Sequence, residues 1–190
     1  MPEIEPMRNH LLAMGATHAG SVFETNLRFE DASKTLRQRG ILLRLRKDDR
    51  IHLTLKSNLS CPDTQFKVHR EWEIEVGDFD VCQTILEGLG FHAKQAYEKW
   101  RETFILDTTK LLIDTMPYGV FLEIEGEKSD IRSIAGQLGL HWEKRILLNY
   151  LEIFEVVQQE EGFSFSDITF SNFETTHFDI RRHLSLLYAG

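Results

Sequence analysis

The stretch from residue 41 to residue 56 decides the fold class of this chain. It reads Ile41-Leu42-Leu43-Arg44-Leu45-Arg46, then Lys47-Asp48-Asp49-Arg50, then Ile51-His52-Leu53-Thr54-Leu55-Lys56. Apolar and polar residues alternate at the end of the first run and throughout the last, which predicts two β-strands. The polar residues between them predict a hairpin turn. The centre of the chain is therefore expected to form antiparallel sheet.

The same period of two predicts strands further along the chain. It is strictest in Glu71-Trp72-Glu73-Ile74-Glu75-Val76, where Trp72 is expected in the core, as is Trp100. The remaining predicted strands are Glu98–Leu106, Leu111–Asp114 and Val120–Glu125. The last two are joined through Met116-Pro117-Tyr118-Gly119, whose proline and glycine are typical of a turn.

Three segments have helical spacing and end in glycine. The first begins at Pro6 and stops at Gly15; the second, capped by Asp78 or Asp80, stops at Gly90; the third, capped by Ser129 or Asp130, stops at Gly139. The order helix, strands, helix, strands, helix predicts an α+β fold with a mainly antiparallel sheet.

The composition excludes several classes of protein. The chain has 190 residues and is 42% hydrophobic. No run approaches the roughly 18 apolar residues of a membrane span. No signal-peptide pattern opens the chain, so a cytoplasmic location without membrane binding is expected. The formal charge of −8 argues against nucleic-acid binding but leaves room for a local anion site. Cys61 and Cys82 form no CxxC or Cys/His cluster, so neither a disulfide framework nor a zinc ribbon is predicted.

A change of character after Val157 predicts two parts, a main domain at 1–157 and an extension at 158–190. Gln158-Gln159-Glu160-Glu161-Gly162 is typical of a solvated break. Beyond it, five phenylalanines stand among Ser, Thr and Asn: Phe163, Phe165, Phe170, Phe173 and Phe178. A disordered tail lacks so many aromatic residues, so the extension is expected to dock on the main domain or a partner.

Each predicted strand has an apolar face and an ionic face. Side chains two residues apart share a face, which groups Arg44 with Arg46, Thr54 with Lys56, and Lys99 with Arg101. Glu71, Glu73 and Glu75 share a face, as do Glu123 and Glu125. Asp114 lies on the other face of its strand from Ile113. A sheet with one face in water explains this alternation without any function.

Three features favour a binding site over a solvated face. The polar positions are almost all ionic, basic residues predominate between Lys34 and Lys56, and like charges two residues apart repel unless an opposite charge lies between them. A polyanion suits the basic strands, and a divalent cation suits the acidic ones. Carboxylates without His or Cys are the ligands of Mg²⁺ or Mn²⁺, which commonly bridge to substrate phosphates.

Several stretches in a fixed order resemble one known family. They are Leu36-x-x-x-Gly40, Leu43-Arg44-Leu45-Arg46, Leu53-Thr54-Leu55-Lys56, Arg70-Glu71-x-Glu73-x-Glu75, Tyr97-Glu98-Lys99-Trp100-Arg101, Leu112-Ile113-Asp114, Gly119-Val120-Phe121-Leu122-Glu123-Ile124-Glu125-Gly126 and Asn149-Tyr150-Leu151-Glu152. Together they resemble the triphosphate tunnel metalloenzymes, whose common module is the CYTH domain. The family includes class IV adenylyl cyclases, thiamine triphosphatases and inorganic triphosphatases.

The resemblance implies an antiparallel β-barrel with helices packed outside and a charged tunnel inside. It implies Mg²⁺ or Mn²⁺ as cofactor and ATP, thiamine triphosphate or inorganic tripolyphosphate as ligand. By motif, phosphates would be bound by Arg44, Arg46, Lys56, Lys99 and Arg101, and metal by Glu71, Glu73, Asp114, Glu123 and Glu125. The catalytic residues implied are Lys56, Glu73 and Arg101. Hydrolysis of the triphosphate and conversion of ATP to cyclic AMP remain open, as do non-catalytic ligand binding and a homodimer.

Two departures from the family pattern stand out. The family begins with a Glu-x-Glu-x-Lys strand, whereas this chain has Glu3-Ile4-Glu5-Pro6-Met7, residues that the first helix needs. That strand is expected to be missing through a shortened chain or a late start codon, with evolutionary loss as the alternative. Later, Leu147-Leu148-Asn149-Tyr150 lacks the usual basic residue, for which Arg145 is the nearest substitute. Of the eight histidines only His69, beside Arg70-Glu71, is a candidate for function.

Overall fold

The computed structural model describes residues 4–59 and 63–189. Its strands are β1 Thr17–Glu30, β2 Ile41–Lys47, β3 Ile51–Asn58, β4 His69–Glu75, β5 His92–Leu106, β6 Thr109–Met116 and β7 Gly119–Glu125. Its α-helices are α1 Ile4–Ala13, α2 Thr35–Gln38, α3 Phe79–Gly88, α4 Lys128–Gln137, α5 Tyr150–Glu161, α6 Phe170–Phe173 and α7 Leu184–Leu187. Short 3₁₀ helices lie at Trp142–Lys144 and Ile180–Arg182.

The strands form one seven-stranded sheet in the order β4-β3-β2-β1-β5-β6-β7. The pairs β1–β2, β2–β3, β3–β4, β5–β6 and β6–β7 are antiparallel. The α+β class with an antiparallel sheet is therefore confirmed. The sheet is not closed into a ring by strand pairing, and β4 and β7 are its edges among the described residues.

The chain divides into two compact units, each with its own apolar core. The first unit comprises Met1–Val22, Lys99–Phe163 and Thr176–Gly190, and the second comprises Phe23–Glu98 and Ser164–Thr175. In the first unit the apolar sides of β5, β6 and β7 pack with α1 and α4, burying Leu11, Phe104, Leu111, Ile113 and Ile134. In the second unit α3 packs on β1 and β2, burying Phe29, Leu43, Leu45, Cys82 and Leu86.

The helix boundaries confirm the first predicted helix and the cap at Asp78, and they contradict one other predicted cap. The helix at Ile4–Ala13 includes part of the string that departs from the family's first strand. Asp78 is the N-cap of α3, because its carboxylate accepts a hydrogen bond from the backbone N–H of Val81. The N-cap predicted at Ser129 or Asp130 is wrong, since α4 begins at Lys128 after an N-cap at Glu127.

Of the described elements with ten or more residues, β1 and α5 were not predicted from the sequence. β1 lacks a regular alternation because its 14 residues mix polar and apolar side chains around Gly20. α5 carries a capping box: the Asn149 side chain accepts from the backbone N–H groups of Leu151 and Glu152, and the Glu152 carboxylate accepts from the N–H of Asn149. The helix runs through the predicted break and ends before Gly162, whose φ of 70° suits a glycine C-cap.

Both tryptophans that were expected in the core are exposed instead. Trp72 is 58% exposed and Trp100 is 49% exposed. Trp72 lies on the apolar side of β4, which is at the edge of the sheet, so this side is poorly covered. Among the described helices, none combines the length and the apolar character that crossing a membrane requires.

The residues after Gly162 pack against earlier parts of their own units. In the first unit Phe163 stacks on Phe154 of α5, with ring centroids 6.5 Å apart. In the second unit Ile168 extends the sheet: its N–H donates to the Ala96 carbonyl at 2.8 Å, and its carbonyl accepts from Glu98 at 2.9 Å. The predicted division into a main domain at 1–157 and an extension at 158–190 stays a prediction.

We expect that Ile168→Ala lowers the free energy of unfolding by about 2–5 kcal/mol, because the side chain is fully buried and leaves a cavity. Urea unfolding measures this change. The matched control is Leu186→Ala, at a side chain that is 54% exposed, which should change stability by no more than about 0.5 kcal/mol. Equal stability of the two variants would show that the segment contributes nothing to the fold.

Candidate functional site

A charged cluster in the second unit is built by the register of three neighbouring strands. Arg44 of β2 lies opposite Thr54 of β3, which lies opposite Glu73 of β4. Arg46 lies opposite His52, and Lys56 opposite Glu71. Because directly opposed residues point to the same face, these side chains form one ionic layer. We call it the Glu73 cluster; its members are Arg44, Arg46, His52, Thr54, Lys56, Glu71 and Glu73.

The hydroxyl group of Thr54 connects the basic and acidic sides of the cluster. Thr54 is fully buried. Its Oγ1 accepts a hydrogen bond from Nη2 of Arg44 at 3.2 Å and donates one to Oε2 of Glu73 at 2.7 Å. The Arg44 guanidinium also lies 3.5 Å from Glu73 and 4.0 Å from Glu71. Only 7% of Arg44 is exposed, so its charge depends on nearby groups for solvation. Burial lowers the pKa of Arg44, but Tyr97 and the carboxylates of Glu24 and Glu71 outweigh burial and raise it.

The other basic side chains of the cluster lie near the same carboxylates. Nη2 of Arg46 lies 3.5 Å from Oε1 of Glu73, and Nδ1 of His52 lies 3.6 Å from that oxygen. Nζ of Lys56 lies 3.0 Å from Oε2 of Glu71, in a pair that is partly open to water. The cations of β2 and β3 thus meet carboxylates of β4 across the sheet.

The surroundings of Glu73 favour its ionised form. Burial raises the pKa of this carboxyl group, but the hydrogen bond from Thr54 and the positive charges of Arg46, His52 and Arg44 outweigh burial and hold the pKa below its usual range. Glu73 is therefore an anion at neutral pH, able to accept hydrogen bonds or to coordinate a cation.

β1 adds polar residues to this layer that sequence reasoning missed. Asn26 lies opposite Arg46 and Arg28 opposite Arg44, so both belong to the ionic face. Glu24, two residues before Asn26, shares that face, and Glu24 and Asn26 are 2% and 0% exposed. The two-residue spacing of Glu24, Asn26 and Arg28 is the signal that could have identified them. His52, which was not among the candidates, was also missed.

A second charged cluster lies in the first unit, around Asp114. Asp114 of β6 is fully buried and lies opposite Arg101 of β5. Its carboxylate accepts hydrogen bonds from Lys99 Nζ at 2.9 Å, from Arg101 Nε at 2.7 Å and from the Tyr150 hydroxyl at 2.8 Å. Arg101 also donates to Oε2 of Glu123 at 2.8 Å. We call these five residues the Asp114 cluster.

The protonation states of the Asp114 cluster follow from its contacts. Burial raises the pKa of Asp114, but Arg101 and Lys99 outweigh burial and lower it below its usual range. Burial, together with the charges of Glu123 and Asp114, raises the pKa of Tyr150 well above its usual range. Tyr150 therefore stays neutral, and its hydroxyl group donates a hydrogen bond to Asp114.

The structure groups most, but not all, of the site residues predicted from the sequence. Arg44, Arg46, Lys56, Glu71 and Glu73 meet in the Glu73 cluster, and Lys99, Arg101, Asp114 and Glu123 meet in the Asp114 cluster. Glu125 is exposed at the end of β7, opposite Lys110. Arg145 lies over the ring of Trp142, 5.2 Å from its centroid. Candidate His69 lies at the exposed start of β4.

The carboxylates are not arranged as a ready-made metal site. Within residues 4–59 and 63–189, no three His, Cys, Asp or Glu side chains are placed to hold a metal ion together. Asp114 already accepts from three donors. Glu71 and Glu73 supply the hard oxygen ligands that Mg²⁺ prefers, so they fit a metal whose other ligands come from water or from a phosphate.

Comparison with known families identifies the class of protein. The model of the CYTH domain matches residues 2–147, which is most of the chain. The chain therefore belongs to the CYTH family. No curated protein sequence matches it significantly.

Solved structures resemble the chain over most of its length. The PH1012 protein of Pyrococcus horikoshii is 25% identical with a TM-score of 0.63, over 73% of this chain and 86% of that one. An adenylate cyclase candidate of Vibrio parahaemolyticus is 19% identical with a TM-score of 0.62, over 77% of this chain and 91% of that one. An adenylyl cyclase candidate of Hippeastrum, reported to have a dominant triphosphatase activity, is 17% identical with a TM-score of 0.54, over 85% of this chain and 84% of that one. The last two show a shared fold.

We expect that Thr54→Val destabilises the protein at neutral pH by about 1–3 kcal/mol, because it removes both hydrogen bonds from a buried position. Thr54→Ser, which keeps the hydroxyl, is the control. The loss should shrink with acidification below the ordinary Glu pKa of 4.5, since the native state then loses the ionised Glu73 that the hydroxyl stabilises. Urea unfolding of wild type and variant, from neutral pH to below pH 4.5, measures this loss of stability. A loss that does not depend on pH would contradict the Thr54–Glu73 hydrogen bond.

Proposed function

We propose that this CYTH protein is a cytoplasmic, divalent-metal-dependent enzyme that processes a triphosphate, either hydrolysing it or converting ATP to cyclic AMP. The observation that carries the proposal is the burial of Arg44 in a layer that also contains Arg46 and Lys56. Arg and Lys side chains that converge on one face supply the charge-assisted hydrogen bonds that phosphoryl oxygens accept. Family membership and the likeness to an adenylyl cyclase candidate with triphosphatase activity support the same reading.

The hydrogen bonding of Arg44 is incomplete without a ligand. Its Nε is buried and meets no acceptor within the described parts of the chain. The two ring nitrogens of His52 are also buried without a hydrogen bond among the described residues, although Nδ1 lies 3.6 Å from Glu73. Buried donors normally have partners, so these groups favour a ligand or solvent that presents acceptors to the layer. Phosphate oxygens meet that need and match its positive charge.

Glu71 and Glu73 would hold the metal ion in this proposal. Mg²⁺ is commonly bound by one or two carboxylates together with substrate phosphates. The metal, when bound, neutralises charge on the phosphate chain and orients it. Binding would require Glu73 to share its charge between Arg44, Arg46 and the metal, a rearrangement that the incoming phosphates favour because they pair with the released cations.

The chain's own residues contribute positioning and electrostatics. Phosphoryl and nucleotidyl transfer depend mainly on these two effects. We assign phosphate binding to Arg44, Arg46 and Lys56, with Lys56 also stabilising charge in the transition state, and orientation of metal or nucleophile to Glu73. In the first unit we assign Lys99 and Arg101 to phosphate, which they would bind in exchange for part of their contact with Asp114 and Glu123. Whether the nucleophile is water or a ribose hydroxyl group distinguishes hydrolase from cyclase.

A non-catalytic phosphate-binding protein is the second candidate function. The observation that favours it is the saturation of Asp114, whose oxygens are occupied by Lys99, Arg101 and Tyr150. A carboxylate held in this way supports the cations around it and is a poor metal ligand. The basic residues would then bind a phosphorylated ligand without turnover.

We expect that Lys56→Ala weakens binding of tripolyphosphate by roughly 10- to 150-fold, because it removes a charge-assisted hydrogen bond worth about 1.5–3 kcal/mol. Its pair with Glu71 is partly exposed, so the unliganded protein should retain its melting temperature. Isothermal titration calorimetry at fixed salt measures the affinity. The matched control is Arg50→Ala, which removes an exposed cation paired with Glu75 in the hairpin and should leave the affinity unchanged. Equal affinities in wild type and Lys56→Ala would contradict the binding site.

We expect turnover of at least one of ATP, thiamine triphosphate and tripolyphosphate with Mg²⁺ or Mn²⁺, and none after chelation. Glu73→Gln should abolish turnover. The same variant should weaken Mn²⁺ binding measured in the presence of tripolyphosphate. Release of phosphate or pyrophosphate and formation of cyclic AMP distinguish the two reactions. Tight triphosphate binding without turnover under any of these conditions would contradict the proposed enzymatic function and favour the non-catalytic binding protein.

A further inference from the structure

Three side chains of the ionic layer lie in one row across β1, β2 and β3. Asn26 of β1 and His52 of β3 each lie directly opposite Arg46 of β2, one on either side of it. Directly opposed residues point to the same face of a sheet, so the three side chains are neighbours. We call them the Arg46 row. The row combines one guanidinium group with an amide and an imidazole.

The side-chain amide of Asn26 has an oxygen atom that needs a hydrogen-bond donor. The residue is fully buried, and its Nδ2 donates to the Tyr97 carbonyl at 3.5 Å. This contact fixes the orientation of the amide, because the opposite orientation would set two carbonyl oxygens against each other. Oδ1 then receives no hydrogen bond within residues 4–59 and 63–189. An amide oxygen only accepts hydrogen bonds, so a phosphate oxygen cannot be its partner.

The imidazole of His52 presents a second acceptor. Its Nδ1 lies 3.6 Å from Oε1 of Glu73, and the ionised carboxylate favours the ring hydrogen on that nitrogen. A neutral imidazole carries one hydrogen, so Nε2 is the acceptor in this tautomer. Nε2 is buried and receives no hydrogen bond from the described parts of the chain. The side chain as a whole is 18% exposed, so part of the ring faces accessible space.

A hydroxyl group suits both acceptors, whereas a phosphate group suits neither. Buried polar atoms in proteins normally have partners, so Oδ1 of Asn26 and Nε2 of His52 favour a ligand that donates hydrogen bonds. A hydroxyl oxygen also accepts hydrogen bonds, which makes it compatible with the Arg46 guanidinium between them. Inorganic tripolyphosphate consists of phosphates alone. A nucleoside triphosphate carries ribose hydroxyl groups beside its phosphate chain.

The position of the row also gives the ligand a direction. Lys56 shares the face of His52 on β3 and lies four residues further along, a distance of about 13 Å. In the strand register Arg44 lies between the Arg46 row and Lys56. The phosphate-binding cations therefore extend from the row toward Lys56. A ligand with its hydroxyl groups at the row would place its free phosphate end at Lys56.

We propose that Asn26 and His52 are specificity-determining residues, which bind hydroxyl groups of the organic part of a triphosphate ester and direct its terminal phosphate toward Lys56. The substrate class is then a hydroxylated organic triphosphate, such as a nucleoside triphosphate, and not inorganic tripolyphosphate. This inference rests on the proposed function, because it requires that Arg44 and Arg46 bind phosphates.

Calorimetric titration at fixed pH and salt, with a chelator present to prevent turnover, tests the two residues. The probes are ATP, tripolyphosphate and dideoxy-ATP, which lacks both ribose hydroxyl groups. His52→Phe should weaken ATP binding by roughly 2- to 10-fold, because a hydrogen bond is lost, and leave the affinities for tripolyphosphate and dideoxy-ATP unchanged. Asn26→Leu, of similar volume, should do the same. The matched control is His92→Phe, at the exposed start of β5, which should alter none of the three affinities.

The ratio of the affinities for ATP and tripolyphosphate separates this inference from the function on which it rests. A purely structural defect would weaken both ligands together and leave the ratio unchanged. If wild type binds both ligands and neither His52→Phe nor Asn26→Leu changes the ratio, the inference is overturned and the proposed function stands. Failure of wild type to bind either ligand overturns both.

The comparison of ATP with dideoxy-ATP in wild type keeps the test decisive if Asn26→Leu fails to fold. Wild type should bind ATP more tightly than dideoxy-ATP by roughly 2- to 10-fold, and His52→Phe should reduce this difference. Such a double comparison isolates the contact between the residue and the hydroxyl group. Equal affinities of wild type for the two nucleotides would show that water, and not a substrate hydroxyl, occupies the Arg46 row, and would overturn the proposal.

Discussion

A guanidinium group that is almost excluded from water needs its charge compensated within the protein, and Arg44 obtains this compensation from the strands on both sides of it. On one side its partners are the Thr54 hydroxyl and the carboxylates of Glu73 and Glu71. Tyr97 and Glu24 also stabilise its charged form. This requirement fixes the register of β2, β3 and β4 together. A slip of one residue would turn Thr54 to the apolar core and place Leu55 in the ionic layer, leaving a buried charge unpaired.

The sheet was predictable from the sequence where one face is buried and the other is ionic. Leu43, Leu45 and Leu53 alternate with charged or polar residues because they pack under α3, and they are indeed part of the second unit's core. β1 escaped prediction because its residues do not alternate in this way, although it lies in the middle of the sheet. The start of α5 could have been predicted from Asn149 and Glu152, whose spacing of three residues is typical of a capping box at a helix N-terminus. In the sequence analysis this stretch was used only as evidence for the family resemblance.

The members of the candidate site were more predictable than their mutual contacts. Parity of position placed Arg44, Arg46 and Lys56 on ionic faces, and the structure confirms those faces. Like charges two residues apart suggested that an external ligand must neutralise them, but neighbouring strands already supply opposite charges, as Glu73 does for Arg44 and Arg46. Which acid meets which base depends on cross-strand register, and this information is absent from the periodicity of any single strand. Tyr150 reaches Asp114 from a helix, so no strand pattern could reveal it.

The hydroxyl of Tyr150 also shows where this protein can and cannot be divided. The match to the family model ends at residue 147, yet Tyr150, at the first turn of α5, donates to the buried Asp114 and accepts from Tyr118 through its own carbonyl. A gene fusion or chimera that exchanged partners at the similarity boundary would separate a carboxylate from one of its three donors. The structural unit around Asp114 is therefore longer than the stretch that the family model matches, and it includes at least the beginning of the following helix.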